Sequence, residues 1–106
     1  MTDRDDQYLA QVLFSTMGTL HNIAFYDGIQ DEINQNIADW KKIQPDIAPE
    51  DMVYRIMLYA VYANLKKFQD DIQNQTAVNL LDLINEQEPD FMAEIRTSLL
   101  KRTFAL

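Results

Sequence analysis

His21 is the only histidine in the chain and cysteine is absent. Two-histidine metal motifs, thiolate catalysis, disulfides and cysteine-ligated zinc are therefore excluded. Proton transfer would fall to carboxylates alone. These are plentiful, seventeen Asp and Glu against nine Lys and Arg. They gather at Asp27, Asp31 and Glu32, at Glu50 and Asp51, at Asp70 and Asp71, and at Glu86, Glu88 and Asp90. The segment Asp27-Gly28-Ile29-Gln30-Asp31-Glu32 comes nearest to a calcium loop, but it sets glycine second and isoleucine third, where an EF-hand needs acids at odd positions and glycine sixth. A di-iron carboxylate centre requires two Glu-x-x-His elements, which one histidine cannot supply. Gly18 and Gly28 are the only glycines, so there is neither a glycine-rich phosphate loop nor a serine elbow. Met17, Gly18, Ala24 and Phe25, one helical turn from His21, offer its imidazole no orienting partner. The acids read as helix caps and solvated helix ends, and the expectation is a protein without catalytic residues, metal or cofactor.

Two other constellations have the chemistry of recognition. Arg55, Tyr59, Tyr62, Lys66 and Asp70 recur at steps of four, three, four and four, which aligns them on one helical ridge. Tyrosine and arginine dominate interface hot spots because they combine large ring area with fixed polar donors. The alternative is that both rings pack beneath a neighbouring helix with their hydroxyls reaching water. Phe14, Gly18, His21 and Phe25 form the second ridge. Glycine within a helix costs about 1 kcal/mol relative to alanine, so its position between two phenylalanines on one face suggests close approach by another backbone, from this chain or from a second copy.

The elements that carry these ridges follow from periodicity. Helix 1 is expected from about Asp3 to Tyr26, with a main face of Leu9, Val12, Leu13, Thr16, Leu20, Ile23 and Ala24 and the Phe14 ridge roughly opposite. Helix 2, from about Ile29 to Ile43, has a narrow stripe of Ile29, Ile33, Ile37 and Trp40 and belongs on the surface. The two prolines of Gln44-Pro45-Asp46-Ile47-Ala48-Pro49 turn the chain. Helix 3 starts at Pro49-Glu50-Asp51 and runs to about Gln73. From Met52 to Phe68 its apolar residues surround most of the circumference, so it must be covered on several sides and lie at the centre. Asn74-Gln75-Thr76 is a weak break, with Thr76 as the expected N-cap of helix 4, which turns Ala77, Leu80, Leu81 and Ile84 inward. Glu88-Pro89-Asp90 opens helix 5, with Phe91, Met92, Ile95 and Leu99 on its face. The ending from Lys101 to Leu106 is expected to fray or dock loosely.

No stretch alternates with period two, so no sheet is expected. The fold class is all-α, a single-domain bundle of four or five helices spanning 1–106, with helix 3 (about 50–73) central. Gln7 to Tyr26 has no formal charge, but its polar interruptions and the acidic Thr-Asp-Arg-Asp-Asp before it fit neither a membrane span nor a secretion signal. A cytoplasmic setting is expected. The formal charge of −8 opposes nucleic acid and anionic membranes.

The leading functional expectation is a non-catalytic protein-protein interaction module, a small regulator, adaptor or chaperone-like subunit. Its surplus of apolar helical surface points to a helical homodimer that also holds a protein partner. Its interface would draw on Phe14, Gly18, His21, Phe25, Arg55, Tyr59, Tyr62 and Lys66. One alternative is an acidic inhibitor that imitates nucleic-acid phosphates and blocks a basic protein. Another is an enzyme accessory subunit that uses a carboxylate with Tyr54, Tyr59 or Tyr62 in a pocket. Direct nucleic-acid binding would need Arg55, Lys66, Lys67, Lys101 and Arg102 to converge.

Overall fold

The computed structural model describes residues 3–68 and 73–104, with side chains from Gln7 onward. Five α-helices follow one another: α1 (Asp3–Phe25), α2 (Gln30–Ile43), α3 (Pro49–Leu65), α4 (Asn74–Gln87) and α5 (Pro89–Phe104). There is no strand among the described residues, and the architecture is an all-α bundle. No described helix is long and apolar enough to cross a membrane.

α3 is the central helix. It touches each of the other four, and its Met52, Val53, Ile56, Met57, Ala60, Val61, Asn64 and Leu65 are all buried. Around it lie Val12, Leu20, Ile23 and Ala24 of α1, Ala77, Leu80, Leu81 and Ile84 of α4, and Met92, Ile95 and Leu99 of α5. α2 contributes only Ile33 and Ile37 to this core, which is the surface position its narrow stripe predicts.

The connections follow local rules. Ala48, before Pro49, is extended (φ −68°, ψ 148°), as the pyrrolidine ring demands of its predecessor. Proline then fills the first helical position, where no N–H is missed. Between α4 and α5 a single residue suffices. Glu88 donates its N–H to the Ile84 carbonyl (2.8 Å) and accepts from Met92 (3.1 Å), so it closes one helix and opens the next.

Two boundaries within the chain differ from expectation. α3 ends at Leu65, eight residues before Gln73, without glycine or proline to stop it. The chain tightens into i→i+3 bonds, Lys67 to Asn64 and Phe68 to Leu65, and Phe68 meets Tyr8 of α1 edge-on at 6.2 Å. A tertiary aromatic contact thus competes with helix continuation. The Asp70 end of the predicted ridge lies outside the described residues. α4 begins at Asn74 and its N-cap is Gln73, so Thr76 lies inside the first turn and does not cap. The earlier start completes the turn that carries Ala77 into the core.

The described part of the C-terminal segment, Lys101 to Phe104, does not fray, and its last two residues lie outside the described residues. α5 continues to Phe104, and Arg102 donates to the Ala24 carbonyl at 2.7 Å and pairs with Asp27. Ser98 hydrogen-bonds the same carbonyl. The last carbonyls of a helix have no partner within it. α5 supplies one, while Phe104 packs half-buried against the core.

Candidate protein-interaction surface

α1 is held to the core by its inner face and by a buried polar cluster. Asn64 of α3, only 2% exposed, donates to Thr16 Oγ1 (3.0 Å) and accepts from Ser15 and Thr19 (3.0 and 3.1 Å). Thr16 in turn donates to the Val12 carbonyl at 2.7 Å. Hydrogen bonds of this kind work only in one register, so the cluster sets both the height and the rotation of α1 against α3. Once α1 is so oriented, its opposite face points away from the bundle.

That face carries Phe14, Gly18, His21 and Phe25. Phe14 is 76% exposed, the most exposed large apolar side chain among the described residues. Gly18 is exposed too, and a Cβ built there would meet no atom within 4 Å. No described residue makes the close backbone approach that this glycine suggests. His21 lies 4.8 Å from the Phe25 ring, tilted by 42°. It has no side-chain hydrogen bond among the described residues. Phe25, 45% exposed, borders a groove of about 500 Å³ that continues onto α5 through Ala93, Thr97 and Lys101.

The α3 ridge divides. Tyr59 is 63% exposed, so no helix covers it, whereas Tyr62 is half-buried against the core. Arg55 stacks over Trp40 at 4.7 Å and donates to Gln44 Oε1 at 3.2 Å. Lys66 sits over the Tyr62 ring at 5.4 Å. Arg55, Tyr59 and Tyr62 line a cleft with Trp40. Periodicity puts Trp40 on the inner stripe of α2, and no signal in the sequence pairs it with Arg55.

The remaining candidates disperse. Tyr54 shares a pocket of about 120 Å³ with Asp82 and Arg96, far below the several hundred Å³ of ordinary ligand sites. Asp82 there is exposed, hence not the desolvated carboxylate an active site would want. Arg102 is engaged at the end of α1 while Arg55 is engaged on α2, and the two border different pockets. No group of three or more acids or histidines among the described residues is arranged to hold a metal. No protein-family model, curated protein or solved structure matches this chain.

Proposed function

We propose that this protein is a non-catalytic interaction module of the cytoplasm that pairs with a second copy through the outer ridge of α1 and leaves its other surfaces free for a protein partner. The observation that carries the reading is the exposure of Phe14 beside an unobstructed Gly18. A large phenyl ring left in water forgoes roughly 2 kcal/mol of burial, and a helical glycine costs about 1 kcal/mol more. Both terms favour any arrangement that covers the ridge.

The ridge is self-complementary. In an antiparallel pairing with its two-fold axis between Thr19 and Leu20, Gly18 faces His21 of the second copy and Phe14 faces its Phe25. Small then meets large at the centre, and aromatic meets aromatic about three turns apart. An isologous contact repeats each pair twice, as a closed dimer requires.

Sedimentation equilibrium on the wild type and on Phe14→Glu/Phe25→Glu tests this. The wild type should show a concentration-dependent dimer and the variant a folded monomer. A wild type that stays monomeric at high concentration, or a variant that dimerises equally well, sinks the reading.

A further inference from the structure

On the outer face of α3 the local charge runs against the molecular average. α2 supplies Trp40, α3 supplies Arg55, Leu58, Tyr59 and Tyr62, and α4 supplies Ala77 to a cleft of about 440 Å³. No acid lines it among the described residues, in a chain with seventeen. Arg55 has no carboxylate partner among the described residues. Its guanidinium is instead held over the Trp40 ring and spends one donor on Gln44. A guanidinium has five N–H donors in a planar fork, so this one is pre-positioned by the stack and has donors to spare. Next to it Tyr59, 63% exposed, offers its ring to solvent and Leu58 is partly exposed, while Lys66 over Tyr62 adds a second cation.

We propose that this groove takes a peptide segment of a partner protein in which an aspartate or glutamate adjoins leucine or aromatic side chains. The carboxylate pairs with Arg55, and the apolar side chains lie across Tyr59 and Tyr62. Charge complementarity selects this occupant. The surface as a whole, at −8, repels acidic peptides, so attraction is confined to the site where cation and aromatic surface coincide. The inference rests on the reading of the protein as an interaction module, but not on the pairing of α1.

Trp40 is the only tryptophan, so its emission reports occupancy. A random dodecapeptide library displayed on phage is panned against the wild type, with Arg55→Gln as counter-selection. The most enriched tryptophan-free peptide is then synthesised together with its Asp→Asn or Glu→Gln counterpart. Enriched peptides should carry an acid beside Leu, Phe or Tyr, and titration should shift Trp40 emission. Affinity should fall about tenfold or more for the amide peptide, for Arg55→Gln and for Tyr59→Ser. Tyr59 is exposed, so its variant should keep the wild-type circular dichroism. Phe14→Glu should bind the peptide as the wild type does, which separates failure of the groove from failure of α1 pairing. The proposal is overturned if no peptide is enriched, if the enriched peptides lack an acid, or if the amide peptide or Arg55→Gln binds undiminished. It is equally overturned if Trp40 emission shifts with protein concentration alone, because a second copy then fills the groove.

Discussion

Asn64 is the residue on which the orientation of the outer ridge depends. Its amide makes three side-chain hydrogen bonds to α1 in a position almost sealed from water. Asn64→Ala should lower the unfolding free energy in urea by about 1–3 kcal/mol, since it strips partners from buried hydroxyls and opens a small void. Replacing the cluster together, Asn64→Leu with Ser15→Ala, Thr16→Val and Thr19→Val, should restore much of that loss, because no side chain of the cluster is then left without its partner. A single variant as stable as the wild type would show that the cluster does not hold the helices. Gly18 makes the opposite prediction. With open space at its Cβ, Gly18→Ala in the Phe14→Glu/Phe25→Glu background, where pairing is expected to be lost, should raise stability by about 0.5–1 kcal/mol, and in the wild type it should weaken the proposed self-association. Periodicity puts Thr16 on the inner face of α1, but nothing in the sequence pairs it with Asn64. Their meaning lies in a contact between residues nearly fifty positions apart.

α5 reaches across to finish α1, and two interactions at that junction can be ranked. The Arg102–Asp27 pair is formed with an almost fully exposed carboxylate, and exposed pairs contribute between nothing and about 1 kcal/mol. The bond from Arg102 to the Ala24 carbonyl satisfies a helix-end acceptor with a charged donor, and bonds of that kind are worth more. Arg102→Ala should therefore cost about 1–2 kcal/mol in urea unfolding, whereas Asp27→Asn should cost less than about 0.5 kcal/mol. Equal losses would mean that the ion pair, not the cap, ties the helices. Most element boundaries were legible because prolines, acids and apolar spacing mark them locally, as at Pro49 and Pro89. The end of α3 was not, since the contact that draws Phe68 toward Tyr8 is tertiary and leaves no punctuation. The tie made by Arg102 was equally hidden. A basic residue in a last turn reads as dipole compensation, whichever neighbour it reaches.

The charge of −8 on each copy bears on association between copies. Two such molecules repel at low ionic strength, and the Debye length shrinks from about 30 Å at 0.01 M salt to about 8 Å at 0.15 M. If α1 ridges pair through apolar contact, sedimentation should show the dimer strengthening over that range. Weakening with salt would point instead to contact between opposite charges. The class of fold, the central place of α3 and the inward faces of α4 and α5 were determined by the sequence, because helical periodicity and hydrophobic burial act through near neighbours along the chain. Which surplus surface stayed in water was decided only by tertiary packing. Phe14 and Tyr62 are both aromatic residues on ridges left over from the main apolar faces, yet Phe14 projects into solvent while Tyr62 packs against the core. Their different fates depend on how α1 is turned against Asn64 and how far α2 and α4 reach over α3, and such rotations are set by contacts between segments distant in the chain.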